Sequence, residues 1–253
     1  KLFSFLQSYW KAAKIIKQHK VKQIIAIDAW GLLATGRLQK LCRGTELNYI
    51  SFEIFFKNEL KGKLIQKLKE KEIEFAANVK SVLVQDKQRA SNLQQENNFP
   101  PSAKWFFIPV SPNSKNIQVS KKINYKEKLG FNIDDKVLIQ SGDVAVHTGM
   151  ELIIDALKIG IPKPYKILIH YRKKLDATNP IHAQLIQLQS EKYPVIIHDN
   201  RFNTYDEYCS FVNSFDYGIT FYKSEEHSFY NGKNLIDIGL SSGKFATYMM
   251  LDM

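Results

Sequence analysis

The sequence predicts an α/β chain of two domains, each a parallel β-sheet covered by helices on both faces. Three observations carry this. Short apolar runs of strand length alternate with stretches of helical spacing along the chain. The alternation breaks at 109–124, where PVSPNSKNIQVSKKIN has two prolines, several Ser and Asn, and no apolar period. Runs such as VKQIIAID are apolar at consecutive positions, as suits a strand buried on both faces of a parallel sheet.

Residues 3–19 have helical spacing, with Phe5, Leu6, Tyr9, Ala13 and Ile16 on one stripe. VKQIIAID is a strand ending at Asp28, residues 30–42 a helix carrying Leu33, Leu38 and Leu41, and LNYISF the next strand. A lysine-rich helix is expected over 57–76. SVLVQD at 81–86, DKQRASNLQQE and KWFFIPV read as strand, helix and strand. Beyond the break, strands are expected at DKVLIQSGD, YKILIHYR, YPVIIHD and FDYGITFY. Helices are expected at 149–159, 180–191, TYDEYCSFVNS and SSGKFATYMML. Strand–helix alternation implies parallel sheets with crossover helices. The expected domains are therefore Rossmann-like: 1–110, a linker at 111–124, and 125–253. The chain begins and ends in helices, so both domains are expected to be incomplete.

The composition is that of a folded protein: 44% hydrophobic and 24% charged residues exclude wholesale disorder. Cys42 and Cys209 are far apart and have no metal-ligand spacing. A reducing, cytoplasmic setting fits them. No apolar run reaches the roughly 18–20 residues of a membrane span. Residues 1–110 carry 19 Lys and Arg against 9 Asp and Glu, a net of +10; residues 111–253 carry 17 against 16, a net of +1. The basic half points either to an anionic partner, such as the inner face of a membrane, or to solvated helix faces. No nucleic-acid-binding motif accompanies it. His19, His182 and His198 have no metal spacing and no Asp-x-Asp pair occurs, so neither a metal nor a cofactor is expected.

Ligands of open parallel sheets bind beyond the carboxyl ends of the strands. That places Asp28, Glu53, Asp86, Gly142, Asp143, His170, Arg172, Asp199 and Tyr222 as candidates. A further candidate is Ser241-Ser242-Gly243-Lys244, which opens a helix after a late strand. Free N–H groups and the helix dipole bind anions there, and Lys244 adds a full charge. The plainer reading of the same residues is a Ser N-cap beside a solvent-facing lysine. His170 also reads as a satisfied core histidine, Gly142 as a strand end, and Arg172 with Lys173 and Lys174 as a solvated cluster.

The stretch 216–250 resembles the retaining glycosyltransferases of family 4, the group 1 transferases. One branch of that family carries G-x-S-S-G-K-x-x-E-Y, which Gly239, Ser241, Ser242, Gly243, Lys244 and Tyr248 match. Asp216-Tyr217-Gly218, Phe221-Tyr222 and Asn234 match as well. ILIHYR resembles the family's strand ending in His-Gly-Arg, giving His170 and Arg172. LIQSGD resembles the strand end near the donor diphosphate, giving Gly142. Asp28 and Glu53 bracket a stretch similar to the first domain's Asp-to-Glu segment. Thr247 stands where the family's Glu-Tyr pair has its acid, and Asp143 and Thr148 replace its Arg and Lys. Glu226 or Glu225 is the candidate first acid of the family's acid pair.

The resemblance implies the GT-B architecture and transfer of a sugar from a nucleotide diphospho-sugar to an acceptor hydroxyl, with retention. Arg172, Lys244 and Glu226 would be catalytic. Gly142, His170, Tyr222, Asn234, Ser241, Ser242 and Gly243 would hold the donor. The acceptor would be a carbohydrate or a lipid-linked molecule. Thr247 keeps open a catalytically silent partner or binding module, and a sugar-nucleotide epimerase shares the architecture.

Overall fold

Apolar runs of four to six residues fold as strands here, and the helices between them return the chain to start the next strand in the same direction. The computed structural model describes residues 2–42, 44–112, 124–226, 228 and 230–253, without the side chains of residues 2–8 and Leu240. Residues 113–123, most of the expected linker, lie outside the described residues. The chain divides into two compact units: Lys1–Pro109 with Ser224–Ser241, and Val110–Lys223 with Ser242–Met253. The segment Ser224–Ser241, expected with the second domain, thus groups with the first unit. No described helix is long and apolar enough to cross a membrane.

The first unit runs α1 (Leu2–Gln18), β1 (Gln23–Ile27), α2 (Asp28–Leu41), β2 (Glu46–Ile50), α3 (Lys63–Ala76), β3 (Val79–Val84), α4 (Lys87–Asn97) and β4 (Lys104–Phe107). Its sheet has the order β1-β2-β3-β4, with every pairing parallel. Ala26, Leu47, Tyr49, Val82, Phe75 and Leu93 form its core. Ala13 and Ile16 of α1 pack on Leu38 and Cys42. The expected helix at 57–76 is interrupted. Lys57–Glu59 is a 3-10 turn, and α3 starts only after Gly62, whose φ of 93° lies outside the helical range. Gly36 lets α2 meet α3, because a Cβ there would overlap the Phe75 ring. Buried Lys69 pairs with buried Glu72 at 3.0 Å, and Asn97 bonds to both, joining α3 to α4.

The second unit runs α5 (Tyr125–Lys128), β5 (Lys136–Ser141), α6 (Met150–Ile159), β6 (Tyr165–His170), α7 (Pro180–Ser190), β7 (Val195–His198), α8 (Tyr205–Val212), β8 (Tyr217–Gly218) and α9 (Gly243–Met250). Its parallel sheet has the order β7-β6-β5-β8. The order reverses at β5: later strands add first on one side, then β8 adds on the other. One apolar cluster gathers Ile153, Leu157, Ile169 and Leu185, and another gathers Val137, Leu168, Phe211 and Tyr248. The expected strand FDYGITFY is cut short. Ile219 N still donates to Ile139 O at 2.8 Å, but the Tyr248 hydroxyl then takes the β5 edge. It accepts from Ser141 N at 3.1 Å and donates to Ile139 O at 3.3 Å.

Candidate functional site

The strand order switches between β5 and β8, and open α/β sheets bind ligands beyond the carboxyl ends of the strands at such a point. Gly142 follows β5 with φ at 129°, and its N–H extends the ladder to His170 O at 3.0 Å. Lys244, second residue of α9, lies across Gly142. A Cβ on Gly142 would sit 3.2 Å from Lys244 Cδ and 3.3 Å from Nζ. The backbone angle favours glycine, and a Cβ there would push the Lys244 side chain aside by a few tenths of an ångström. The ammonium also sits 5.4 Å from the centre of the Tyr222 ring. Nζ is buried and has no hydrogen-bond partner among the described residues. Burial pulls the Lys244 pKa down, and the Asp143 charge opposes that. Lys244 is therefore not the solvent-facing lysine of the plainer reading.

Ser242 is the N-cap of α9. Its Oγ accepts from Phe245 N at 3.1 Å and bonds to the Tyr222 hydroxyl at 2.6 Å. The cap satisfies one of the helix's leading N–H groups and leaves Gly243 and Lys244 N–H ahead of it. Ser241 is elsewhere: it falls in the first unit, with Oγ donating to Gln85 Oε1 at 3.1 Å. The expected Ser241–Gly243 cradle therefore divides between the two units, and Ser242, Gly243 and Lys244 remain with Gly142 and Tyr222.

His170 is fully engaged inside the second unit. Nε2 donates to Asn200 O at 2.9 Å, which leaves Nδ1 to accept from Ser141 Oγ at 2.7 Å. Ser141 Oγ in turn accepts from the Tyr208 hydroxyl at 3.1 Å. Burial lowers the His170 pKa, and the Asn200 carbonyl works against it. With both nitrogens used, His170 positions the β5 and β6 ends and offers no atom to a donor; of its two readings, the geometry is that of a satisfied core histidine.

Arg172, just past β6, is exposed. Its carbonyl accepts from Arg201 Nε at 2.9 Å and its guanidinium lies 6.0 Å from the Tyr208 ring centre. It lines a cavity of about 490 Å³ with Lys173, Arg201, Asn203, Tyr205 and Tyr208. Two hydroxyls tie this cavity to the end of β5 and to α9: Tyr208 bonds to Ser141, and Tyr205 bonds to Thr247 Oγ1 at 2.7 Å. Thr247 also donates to Gly243 O at 2.8 Å, so the residue in the acid's place is spent on the fold.

Glu226 is an exposed turn residue in the segment grouped with the first unit. Asn234, expected at the donor, is buried in that unit. Its Oδ1 accepts from Ile54 N at 3.1 Å and from Arg89 Nη2 at 2.9 Å, and its Nδ2 donates to Glu53 Oε2. Buried Arg89 also donates to Gln85 Oε1, Phe52 O and Asn234 O. Asp28, with φ at 53°, accepts Phe52 N at 2.7 Å and Glu53 N at 2.9 Å on one oxygen. Burial raises the Glu53 pKa, while Asn234 and Arg89 hold it down. Sequence reasoning missed Arg89, which reads locally as an ordinary helix residue. No metal-holding group of His, Cys, Asp or Glu occurs among the described residues.

No protein-family profile and no curated protein matches the chain. Solved structures do. The E. coli trehalose-6-phosphate structure bound with UDP-2-fluoro glucose has a TM-score of 0.64 at 13% identity, covering 98% of this chain and 60% of that one. The Anabaena Alr3699/HepE structure with UDP and glucose has a TM-score of 0.64 at 13% identity, covering 86% and 57%. Sucrose-phosphate synthase from Thermosynechococcus elongatus has a TM-score of 0.60 at 14% identity, covering 85% and 53%. The chain spans a little over half the length of these structures. Over that span it has the fold of GT-B glycosyltransferases.

Proposed function

We propose that the chain belongs to a glycosyltransferase that takes a nucleotide diphospho-sugar and transfers its sugar to an acceptor hydroxyl, with retention. The observation that carries this is the Lys244 ammonium: buried, without a hydrogen-bond partner among the described residues, and laid over Gly142 at the switch point of the second sheet. A buried charge without a partner is costly, and a diphosphate oxygen is the partner such a site lacks. The leading N–H groups of α9 add donors for the same anion. As the sugar–phosphate bond breaks, negative charge grows on the diphosphate, and fixed positive groups stabilise it. Arg172, at the mouth of the neighbouring basic cavity, is the second cation of this reading. The fold neighbours support the donor class, since the Anabaena structures hold UDP or UDP-glucose and the E. coli structure holds UDP-2-fluoro glucose.

The test is calorimetric titration of Lys244→Ala with UDP-, GDP- and ADP-sugars. The unaltered protein is expected to bind one of them, and the variant to lose about 1.5–3 kcal/mol, the worth of one hydrogen bond to a charged group. The matching nucleoside without phosphates is expected to show no such loss. Equal affinity of both proteins for the sugar nucleotide refutes the assignment. Thr247, with its hydroxyl committed to Tyr205 and Gly243, favours a second reading, a donor-binding module without turnover. Donor binding with no donor hydrolysis and no transfer would select it.

A further inference from the structure

At the amino ends of its strands, away from Gly142 and Lys244, the second unit carries a cavity of about 610 Å³. That size is ordinary for a small-molecule site, roughly 300–1,000 Å³. The turns leading into β5, β6 and β7 line it with Asp135, Lys163, Lys192 and Tyr193, and Tyr165 and Lys166 of β6 join them. The sheet sets these walls. Pro164 O accepts from Lys136 N at 3.0 Å and Pro194 O from Ile167 N at 2.8 Å, so both proline-bearing turns continue the strand ladders. Proline fixes its own φ, which stiffens the turns further. Tyr193 packs on the apolar cluster that includes Leu188 and Val195. The cavity is thus shaped before any ligand arrives, which spares ordering cost.

The lining carries three lysines against one carboxylate, a net of +2. Asp135 is buried, and its Oδ2 accepts from Asn132 N at 2.8 Å and pairs with Lys166 Nζ at 3.2 Å. Its charge is therefore engaged by one lysine, and Lys163 and Lys192 have no ion pair among the described residues. Glu191, next to Lys192 in the chain, bonds to Gln187 instead. Lys192 follows the end of α7 with φ at 63°; its N–H donates to Gln189 O, and Tyr193 N donates to Leu188 O. Glycine or asparagine is the usual residue at this left-handed place. A lysine there strains the backbone and gives the turn nothing that glycine would not.

We propose that this cavity binds a small phosphorylated ring compound, a sugar phosphate or a nucleoside monophosphate, at a site separate from that of Lys244. The compact ammonium charges of Lys163 and Lys192 suit phosphate oxygens. Tyr165, 39% exposed, and Tyr193 offer aromatic surface to the ring that the phosphate carries. The six residues of β5, about 17 Å of strand, separate the cavity from Gly142, so one such molecule does not span both sites. The inference stands whether or not the chain transfers a sugar.

Calorimetry and amide NMR would use the full chain with glucose 6-phosphate, AMP, inorganic phosphate, glucose and adenosine. Glucose 6-phosphate or AMP is expected to bind and to shift the amides of Tyr165, Lys166 and Tyr193; the tighter of the two tells sugar phosphate from nucleotide. Inorganic phosphate, glucose and adenosine each lack half of the recognition and are expected to bind at least about tenfold more weakly. Lys192→Gly removes an ammonium where glycine is the favoured residue, so the fold is retained. It is expected to weaken binding about tenfold, as is Lys163→Gln, the change that one lost hydrogen bond to a charged group produces. Lys244→Ala is expected to leave this binding unchanged, since distant sites act independently. The inference is wrong if neither phosphorylated compound binds at millimolar concentration, or if inorganic phosphate binds as tightly as both. It is also wrong if Lys244→Ala abolishes the binding while Lys192→Gly keeps it, because the phosphate then sat in the donor site, whose reading would stand. Normal sugar-nucleotide binding by Lys244→Ala, with phosphate-compound binding lost in Lys192→Gly, overturns the donor reading and leaves this cavity standing.

Discussion

Replacing Arg89 by Met tests how the first unit holds the segment Ser224–Ser241. Methionine fills much the same volume but supplies no donor. Three strong bonds disappear: to Gln85 Oε1 at 2.9 Å, Phe52 O at 2.6 Å and Asn234 Oδ1 at 2.9 Å. The fourth, to Asn234 O at 3.3 Å, is weak. Bonds to a charged donor contribute about 1.5–3 kcal/mol each, but members of one network are not additive. The Gln85 and Asn234 amides can turn, whereas the Phe52 carbonyl cannot. Breaking a buried charged network in this way costs about 3–5 kcal/mol, and that is the expected loss. A chain of two units departs from two-state unfolding, so the readout is hydrogen exchange by segment in mild urea. The Ile54 amide, bonded to Asn234, and residues 230–237 are expected to lose protection, while β5–β7 keep theirs. The same change removes a positive charge that holds the Glu53 pKa down, so that pKa rises further. A carboxyl with a raised folded pKa binds more protons folded than unfolded, and stability falls as pH rises from about 4.3 towards the raised value. The deficit of the variant is therefore expected to be largest at neutral pH and to shrink as Glu53 protonates. A loss below about 1 kcal/mol, within the range of ordinary surface substitutions, with Ile54 still protected would refute this account.

Two further outcomes follow from the second unit. Gly142→Ala places a Cβ against Lys244 at a backbone angle that L-residues rarely adopt, so a loss of about 1–3 kcal/mol is expected in thermal unfolding. Sugar-nucleotide affinity is expected to fall with it, and unchanged affinity would detach Gly142 from the anion site. His170→Phe removes the donor to Asn200 O and the acceptor of the Ser141 hydroxyl, for an expected loss of about 1–3 kcal/mol. Because burial lowers the His170 pKa, the folded state binds fewer protons than the unfolded one, and the imidazole's contribution is complete above about pH 6.5. It is lost as pH falls towards the lowered folded pKa. The gap between the two proteins is expected to narrow in urea titrations taken from neutral to mildly acid pH, and a constant gap would refute the assignment.

Much of the fold is written in local patterns. β6 and α7 fall where apolar period and caps place them, because each element must bury one face and Asn179 caps α7 within the sequence itself. β1 falls in its expected place but is not buried on both faces: it is the edge strand of its sheet, and Ile25 and Ile27 are exposed. Gly142, Ser242 and Lys244 were legible for the same reason: a strand end and a helix start are short-range signals. What escaped depends on contacts between distant residues. β8 is short because of a tyrosine hydroxyl some thirty positions later, Tyr248. The break before α3 was signalled by Gly62, but helical spacing on both sides masked it. Ser241 reads as part of the phosphate-binding turn and Asn234 as a donor-binding residue, yet their partners, Gln85 and Arg89, lie in the first half of the chain. No local rule distinguishes an asparagine that meets a ligand from one that closes a core.

The return of Ser224–Ser241 to the first unit sets a timetable for synthesis. Arg89 and Asn234 are 145 residues apart, and between them come all the strands of the second sheet. At roughly 5–20 residues per second, the first unit waits about 7–29 s after Arg89 is made for the side chain that satisfies it. During that interval β5 to β8 can pair, since their partners are already made. A nascent chain stalled near residue 223 would thus carry the second sheet beside a first unit whose arginine, Glu53 and Ile54 amide still lack their asparagine. Fragments cut at the linker inherit the same deficit, because Ser224–Ser241 belongs to the first unit.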